Sequence, residues 1–165
     1  MQFCPHQNGN ALQSVMSDVH DKETRSYNMS QIRGKSTKPE IIVRKYLFSE
    51  GFRYRLNDTK LPGKPDIVLP KYRTVIFVNG CFWHGHTDCK YFVLPKTRAE
   101  WWNEKIKRTK ERDEISNQQL NQLSYNIITV WECQLKPSFR EKALKSIIDL
   151  LYKTHLDILR TQQTK

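Results

Sequence analysis

Long hydrophobic runs are missing from this chain of 165 residues. Its apolar stretches, such as Val75-Ile76-Phe77-Val78, fall far short of the roughly 20 residues that a membrane helix needs, so a soluble protein with no membrane partner is expected. The N-terminal Met1-Gln2-Phe3-Cys4-Pro5-His6 has no basic region followed by an apolar stretch. A secretory signal is therefore not expected, and a reducing cytoplasm is. Cysteine is scarce: in that compartment Cys4, Cys81, Cys89 and Cys133 read as metal ligands or plain thiols rather than a disulfide framework. Acid is also short, with 17 Asp+Glu against 28 Lys+Arg, a formal charge of +11. Such an excess favours a polyanion, of which nucleic acid is the commonest, although many basic domains are merely soluble. There is no internal repeat and no low-complexity segment. The length suits one domain with a sizeable core.

Residues 1–15 are polar, with no periodic apolar face, and read as a disordered N-terminal extension before a single domain over 16–165, with Met16 as a candidate start. Asp21 is placed to cap a short helix running to about Arg33, broken by Gly34-Lys35-Ser36. Thr37-Lys38-Pro39-Glu40 has capping-box spacing and opens a helix that should stop at Gly51. Phe52 to Leu56 alternates like a half-buried strand. Leu61-Pro62-Gly63-Lys64-Pro65 is turn chemistry leading into a strand at Asp66-Ile67-Val68-Leu69, which should pair as a hairpin with Arg73 to Val78. Capping-box spacing at Thr97-Arg98-Ala99-Glu100 and again at Ser138-Phe139-Arg140-Glu141 predicts helices to about Leu123 and Leu159, with a buried strand from Tyr125 to Trp131 between them. One central mixed sheet flanked by helices, an α/β fold, buries this order most simply.

Chemistry concentrates in the irregular stretch from Asn79 to Leu94. Cys81, His86 and Cys89 are spaced C-x4-H-x2-C, and with Cys133 they would complete a closed tetrahedral zinc site, structural because every position is a protein atom. Buried thiols that fill core space are the alternative, preferred for Cys133 taken alone but not for the three ligands bunched in one loop, which has little apolar burial of its own. His84 can equally be an acid or base, or the third metal ligand in place of His86; spacing leaves this open. Asp66 is a plausible hard-metal ligand for phosphodiester chemistry, against the plainer reading of a turn aspartate. Many nucleases follow such an aspartate with acid-x-Lys on the next strand, and here Phe77-Val78-Asn79 stands in that place. Asp113 shares a helix face with Trp102 and Ile106, where a carboxylate usually has a partner. Phe82, Trp83, Trp101 and Trp102 are either core or flat side chains that wedge between bases. From Lys96 to Arg112 the helix adds seven basic residues and three acids, a face suited to phosphates or simply to solvent.

Several motifs are specific enough to compare with a family. Asp18-Val19-His20-Asp21-Lys22, Thr24-Arg25-Ser26, Asn28-Met29, Leu61 to Asp66, Val75-Ile76-Phe77, Gly80 to His86 and Val130-Trp131-Glu132-Cys133 resemble the motifs of the very-short-patch repair endonucleases, over Met16 to about Leu151. The resemblance implies a restriction-endonuclease-like fold with a structural zinc site. It implies Asp66 as a catalytic Mg2+ ligand, with the carbonyl of Val78 where the family uses a backbone oxygen. By the same resemblance His84 is the catalytic histidine, Asp113 helps to hold the active-site water network and Glu40 is an acid of that neighbourhood. Cys81, His86, Cys89 and Cys133 match the Zn2+ ligands, which assigns His86 rather than His84 to the metal. Phe82, Trp83 and Trp102 match aromatics that wedge into the duplex, and Met29 matches a residue that enters from the opposite groove. Two departures stand out: Asn79 where a family member carries a second active-site histidine, and Thr87-Asp88 in place of a continuous histidine run.

The activity so implied is a Mg2+-dependent, strand-specific endonuclease that nicks double-stranded DNA 5′ to the thymine of a T:G mismatch left by deamination of 5-methylcytosine. A cytoplasmic monomer that associates with the nucleoid when bound to DNA is expected, working with other mismatch-repair proteins. The rivals are a restriction-type nuclease on matched DNA and a non-catalytic zinc-stabilised DNA-binding module.

Overall fold

The computed structural model describes residues 21–31 and 34–163, without the side chains of Lys22, Arg25, Met29, Gln162 and Gln163. The expected extension over residues 1–15, the start at Met16 and the side chain of Met29 therefore lie outside what is described. The element order is α1 (Lys22–Ser30), α2 (Lys38–Ser49), β1 (Arg55–Leu56), β2 (Ile67–Leu69), β3 (Thr74–Asn79), α3 (Ala99–Gln122), β4 (Asn126–Trp131) and α4 (Pro137–Gln163), with short 3-10 turns at Pro70–Tyr72 and Glu132–Leu135.

Each helix boundary has a local cause. Asp21 accepts the Thr24 amide at 2.6 Å and caps α1, which ends at Ser30, short of the expected Arg33. The capping box of α2 is complete: Thr37 accepts the Glu40 amide, and the Glu40 carboxylate accepts the Thr37 amide. At its other end Gly51 takes φ +83, its amide reaches the Phe48 carbonyl and the Phe52 amide reaches the Leu47 carbonyl. This pair of bonds is a Schellman closure, with buried Phe52 and Leu47 in the same core cluster. It also explains why the strand expected from Phe52 shrinks to Arg55–Leu56: the Phe52 amide serves the helix rather than a sheet.

The other two helices do not start at the expected residues. Helix α3 starts at Ala99 behind a left-handed Arg98 (φ 56) with no side-chain cap, and the Arg98 guanidinium lies over the Trp101 ring at 5.0 Å. Helix α4 starts one residue early, at Pro137, with the Lys136 carbonyl accepting from Arg140, so Ser138 is already inside the helix. Proline suits the first helical position, where its missing N–H has no partner to lose, and that preference overrides the serine signal.

The sheet order is β1-β2-β3-β4, antiparallel across β1/β2 and β2/β3 and parallel across β3/β4, with Val78 opposite Val130. The mixed sheet is the expected one. Side chains alternate across it. Ile67, Leu69, Ile76, Ile128 and Val130 join Val43, Leu47, Leu144, Ile147 and Leu151 in the main core with α2 and α4. Val68 and Val75 pack with Leu120 of α3 in a second cluster. Helices thus cover the sheet on both faces. The ends of β3 and β4 and the start of β2 remain as the rim on which the site is built. Among the described residues no helix is long and apolar enough to cross a membrane.

Candidate active site and metal centre

A cleft of about 640 Å3 opens at that rim, and Glu40, Asp66, Val78, His84 and Asp113 all line it. Asp66 stands at the start of β2, and its Oδ2 accepts the Val78 amide of β3 at 2.7 Å, so the hairpin itself aims the carboxylate. Burial raises the Asp66 carboxyl above its ordinary value; the Val78 amide opposes this, Glu40 adds to it, and Arg44 and His84 lower it. Glu40 is fully engaged. One oxygen accepts from the Ser36 amide and Arg44, the other from the Thr37 amide and hydroxyl. The Glu40–Arg44 ion pair is buried, with 5 % and 9 % of the two side chains exposed, so Glu40 influences Asp66 through charge.

Across the cleft, His84 Nδ1 meets Asp113 Oδ2 at 2.6 Å. The partner that a carboxylate on this helix face needs is therefore His84. A carboxylate on Nδ1 fixes the imidazole orientation and directs Nε2 away from it, the arrangement by which a histidine is prepared to accept a proton. His84 is held by its neighbours in sequence. Its amide bonds to the Gly80 carbonyl, Gly85 to Phe82, and His86 to Cys81 at 2.9 Å. Gly85 takes φ +59, and a Cβ there would lie 2.5 Å from Lys110 Cε and 2.6 Å from Ile106, so glycine lets the loop lie directly on α3.

Immediately beyond, Cys81, His86, Cys89 and Cys133 are all buried, with ligand atoms within 4.8 Å of one another. His86 Nδ1 is 3.6 Å from Cys81 Sγ and 3.5 Å from Cys133 Sγ. A tetrahedral zinc with sulfur at about 2.3 Å and nitrogen at about 2.0–2.1 Å separates such atoms by about 3.6 Å, so the donors fit that ion. Burial pushes the His86 imidazole down, which favours the neutral, ligating form. Trp131 lies parallel to the His86 ring at 4.0 Å and fixes its plane.

Phe82 and Trp83 are half-buried and join Trp102 in edge and tilted contacts of 5.1–6.1 Å. The Lys105 ammonium lies 4.9–5.5 Å from the rings of Trp83, Trp101 and Trp102. Loop and helix thus meet in an aromatic cluster under a cation, next to the cleft through Trp83. The sequence reading passed over other residues lining the cleft: Lys64, Ser116, Asn117 and Thr129. Ser116 and Asn117 follow Asp113 by three and four residues, a helical spacing that was available as a signal.

Carboxylates and a histidine thus gather at the strand ends of a mixed sheet, beside cations and aromatic rings, groups that can hold a divalent metal and move a proton. Known proteins define the family. The family model for DNA mismatch endonuclease Vsr matches residues 17–91. The chain is 49 % identical over 121 residues to the type II nicking enzyme V.NmeAIP of Neisseria meningitidis, covering 73 % of this chain and 86 % of that protein. It is 46 % identical over 121 residues to the DNA mismatch endonuclease Vsr of Escherichia coli, covering 73 % and 77 %. With the type II nicking enzyme V.XorIIP of Xanthomonas oryzae the identity is 43 % over 135 residues, covering 81 % and 98 %. The chain belongs to the Vsr family of DNA mismatch endonucleases.

Proposed function

We propose that this endonuclease nicks one strand of double-stranded DNA 5′ to the thymine of a T:G mismatch, with Mg2+ in the cleft and Zn2+ in the Cys3His group. The observation that carries this reading is the juxtaposition of the cleft with the aromatic cluster: Trp83 lines the one and belongs to the other. Asp66 and the carbonyl of Val78 hold the magnesium, which when bound polarises the phosphate and acidifies water. His84, oriented by Asp113, accepts a proton from the attacking water at Nε2. Glu40, locked by its own bonds, sets the charge around Asp66. Phe82, Trp83 and Trp102 wedge into the duplex beside the mismatch, and Met29 enters from the opposite groove. A mispaired step unstacks at lower cost than a paired one, so the same wedge selects its substrate. The zinc group fixes the loop that carries His84. We place the enzyme in the cytoplasm as a monomer acting with other mismatch-repair proteins.

The test is a panel of duplexes carrying T:G or a matched pair in several sequence contexts, each strand labelled in turn, with Mg2+ present or absent. Nicking confined to the thymine strand, 5′ to the mispaired base and dependent on Mg2+, is expected. Equal cutting of matched DNA would replace the reading with a restriction-type nuclease. Tight binding without cutting in any divalent metal would replace it with a binding module.

A further inference from the structure

The cleft holds more acid than base. Glu40, Asp66, Asp113 and Glu132 all line it, and each has a partner: Arg44, the Val78 amide, His84 and Lys136 respectively. A phosphodiester entering such a cleft gathers further negative charge as it is attacked. In many nucleases a lysine on the second strand of the hairpin meets that charge, but here the acid-x-Lys place is Phe77-Val78-Asn79. The cleft supplies lysine from elsewhere. Its lining includes Lys64, two residues before Asp66, and Lys38 in the first turn of α2.

Lys64 is the better placed. Pro62-Gly63 makes a tight turn with Gly63 at φ +70, closed by the Lys64 amide on the Leu61 carbonyl at 3.1 Å. A Cβ on Gly63 would lie 2.9 Å from Ser116 Cβ, so the turn is seated directly on α3. Pro65, the next residue, is buried. Lys64 is thus fixed at both sides, and two residues of chain span at most about 7 Å, which keeps its backbone beside Asp66. Its own φ is +51, a left-handed conformation that costs a non-glycine side chain and that a following proline further disfavours. Strain of this kind persists where the surroundings impose it, commonly at functional sites. Among the described residues the Lys64 ammonium has no ion-pair partner.

We propose that Lys64 is a catalytic residue of the nicking reaction: its ammonium contacts a non-bridging oxygen of the scissile phosphate and stabilises the charge that develops there. It forms no bond and exchanges no proton. This inference rests on the nicking activity proposed above and adds to it the group that replaces the absent strand lysine.

The experiment compares wild type with Lys64→Ala, Lys64→Gly and Lys38→Ala in single-turnover nicking of a T:G duplex, with duplex affinity and Tm measured on the same preparations. Removing a preorganised donor to a developing oxyanion typically lowers the rate about 10²–10³-fold. Lys64→Ala and Lys64→Gly should therefore nick about a hundredfold slower and bind the duplex within threefold of wild type, whereas Lys38→Ala should stay within about threefold of wild type in rate. Lys64→Gly should also raise Tm, because glycine adopts a positive φ without the penalty; this variant keeps the test open if the alanine form fails to fold. Lys64 variants that nick within threefold of wild type overturn the inference. So does a rate loss matched by an equal loss of affinity, which would make Lys64 one backbone contact among many. Wild-type protein that fails to nick T:G DNA would instead overturn the function on which the inference rests.

Discussion

Burial lifts the Asp66 carboxyl, and the Val78 amide, Arg44 and His84 pull it back without cancelling the shift. A carboxyl raised above its ordinary value of 3.8 binds its proton more tightly in the folded chain than in the unfolded one. Its contribution to stability is therefore complete below 3.8 and is lost as pH rises through the folded value. At neutral pH an ionised Asp66 destabilises the metal-free protein. Asp66→Asn keeps an oxygen for the Val78 amide and removes the charge, so the metal-free variant should melt above wild type at pH 7, the difference shrinking as pH falls towards 3.8. The same variant should not nick. A lower Tm for Asp66→Asn at pH 7 would show that the carboxylate is a structural group. The place of Asp66 at the entry to the hairpin was legible in the sequence, because turn chemistry before an apolar run is a local pattern. The engagement of Glu40 with Arg44 was not, since an i,i+4 acid–base pair reads the same whether it faces solvent or the core. Lys64 escaped for a similar reason: its importance lies in a backbone angle and a neighbour on α3, and neither has a sequence signature.

The loop from Gly80 to Cys89 carries the His84 that faces Asp113 between two members of the Cys3His group, Cys81 and His86. Cys81, His86, Cys89 and Cys133 would hold a metal there that ties the loop to the residue just after β4, and would thereby keep His84 in front of Asp113. Dialysis against a chelator should therefore lower Tm and abolish nicking together. Restoring Mg2+ alone should leave the enzyme inactive, whereas Zn2+ followed by Mg2+ should recover it. Full nicking in Mg2+ with no zinc detected by elemental analysis would break this link. The ligand cluster was legible because three of its members fall within nine residues, and β4 runs parallel beside β3, which brings the fourth. Helix starts were less so. Thr37 caps α2 as its spacing foretold, while at α3 the stacking of Arg98 on Trp101 and at α4 the preference of Pro137 for the first turn compete with the same four-residue pattern. A short motif states what a segment can do locally; the winning alternative is decided by packing that the motif does not contain.

Two forces of different reach act on DNA across the whole molecule. The charge of +11 attracts any duplex and releases counterions, so affinity from this source falls steeply with salt and does not depend on pairing. On the proposed reading, the aromatic cluster acts only where bases can be parted. Stacking is worth roughly 1 to 3 kcal/mol per base, about fivefold to more than a hundredfold in affinity. Trp83→Ala should lose that factor on T:G duplexes, while matched duplexes, held through phosphates, should change little and keep their salt slope. Because Trp83 also touches Phe82 and Trp102, some loss of Tm is expected as well, and melting alone does not separate wedge from packing. The separation comes from the difference between duplexes. Titrating wild type and Trp83→Ala against T:G and C:G DNA at two salt concentrations measures it directly. A loss confined to T:G and of similar size at both salts is the signature of stacking, which involves no counterions. Equal losses on both DNAs would mean that Trp83 supports the loop and that mismatch selection resides elsewhere in the site.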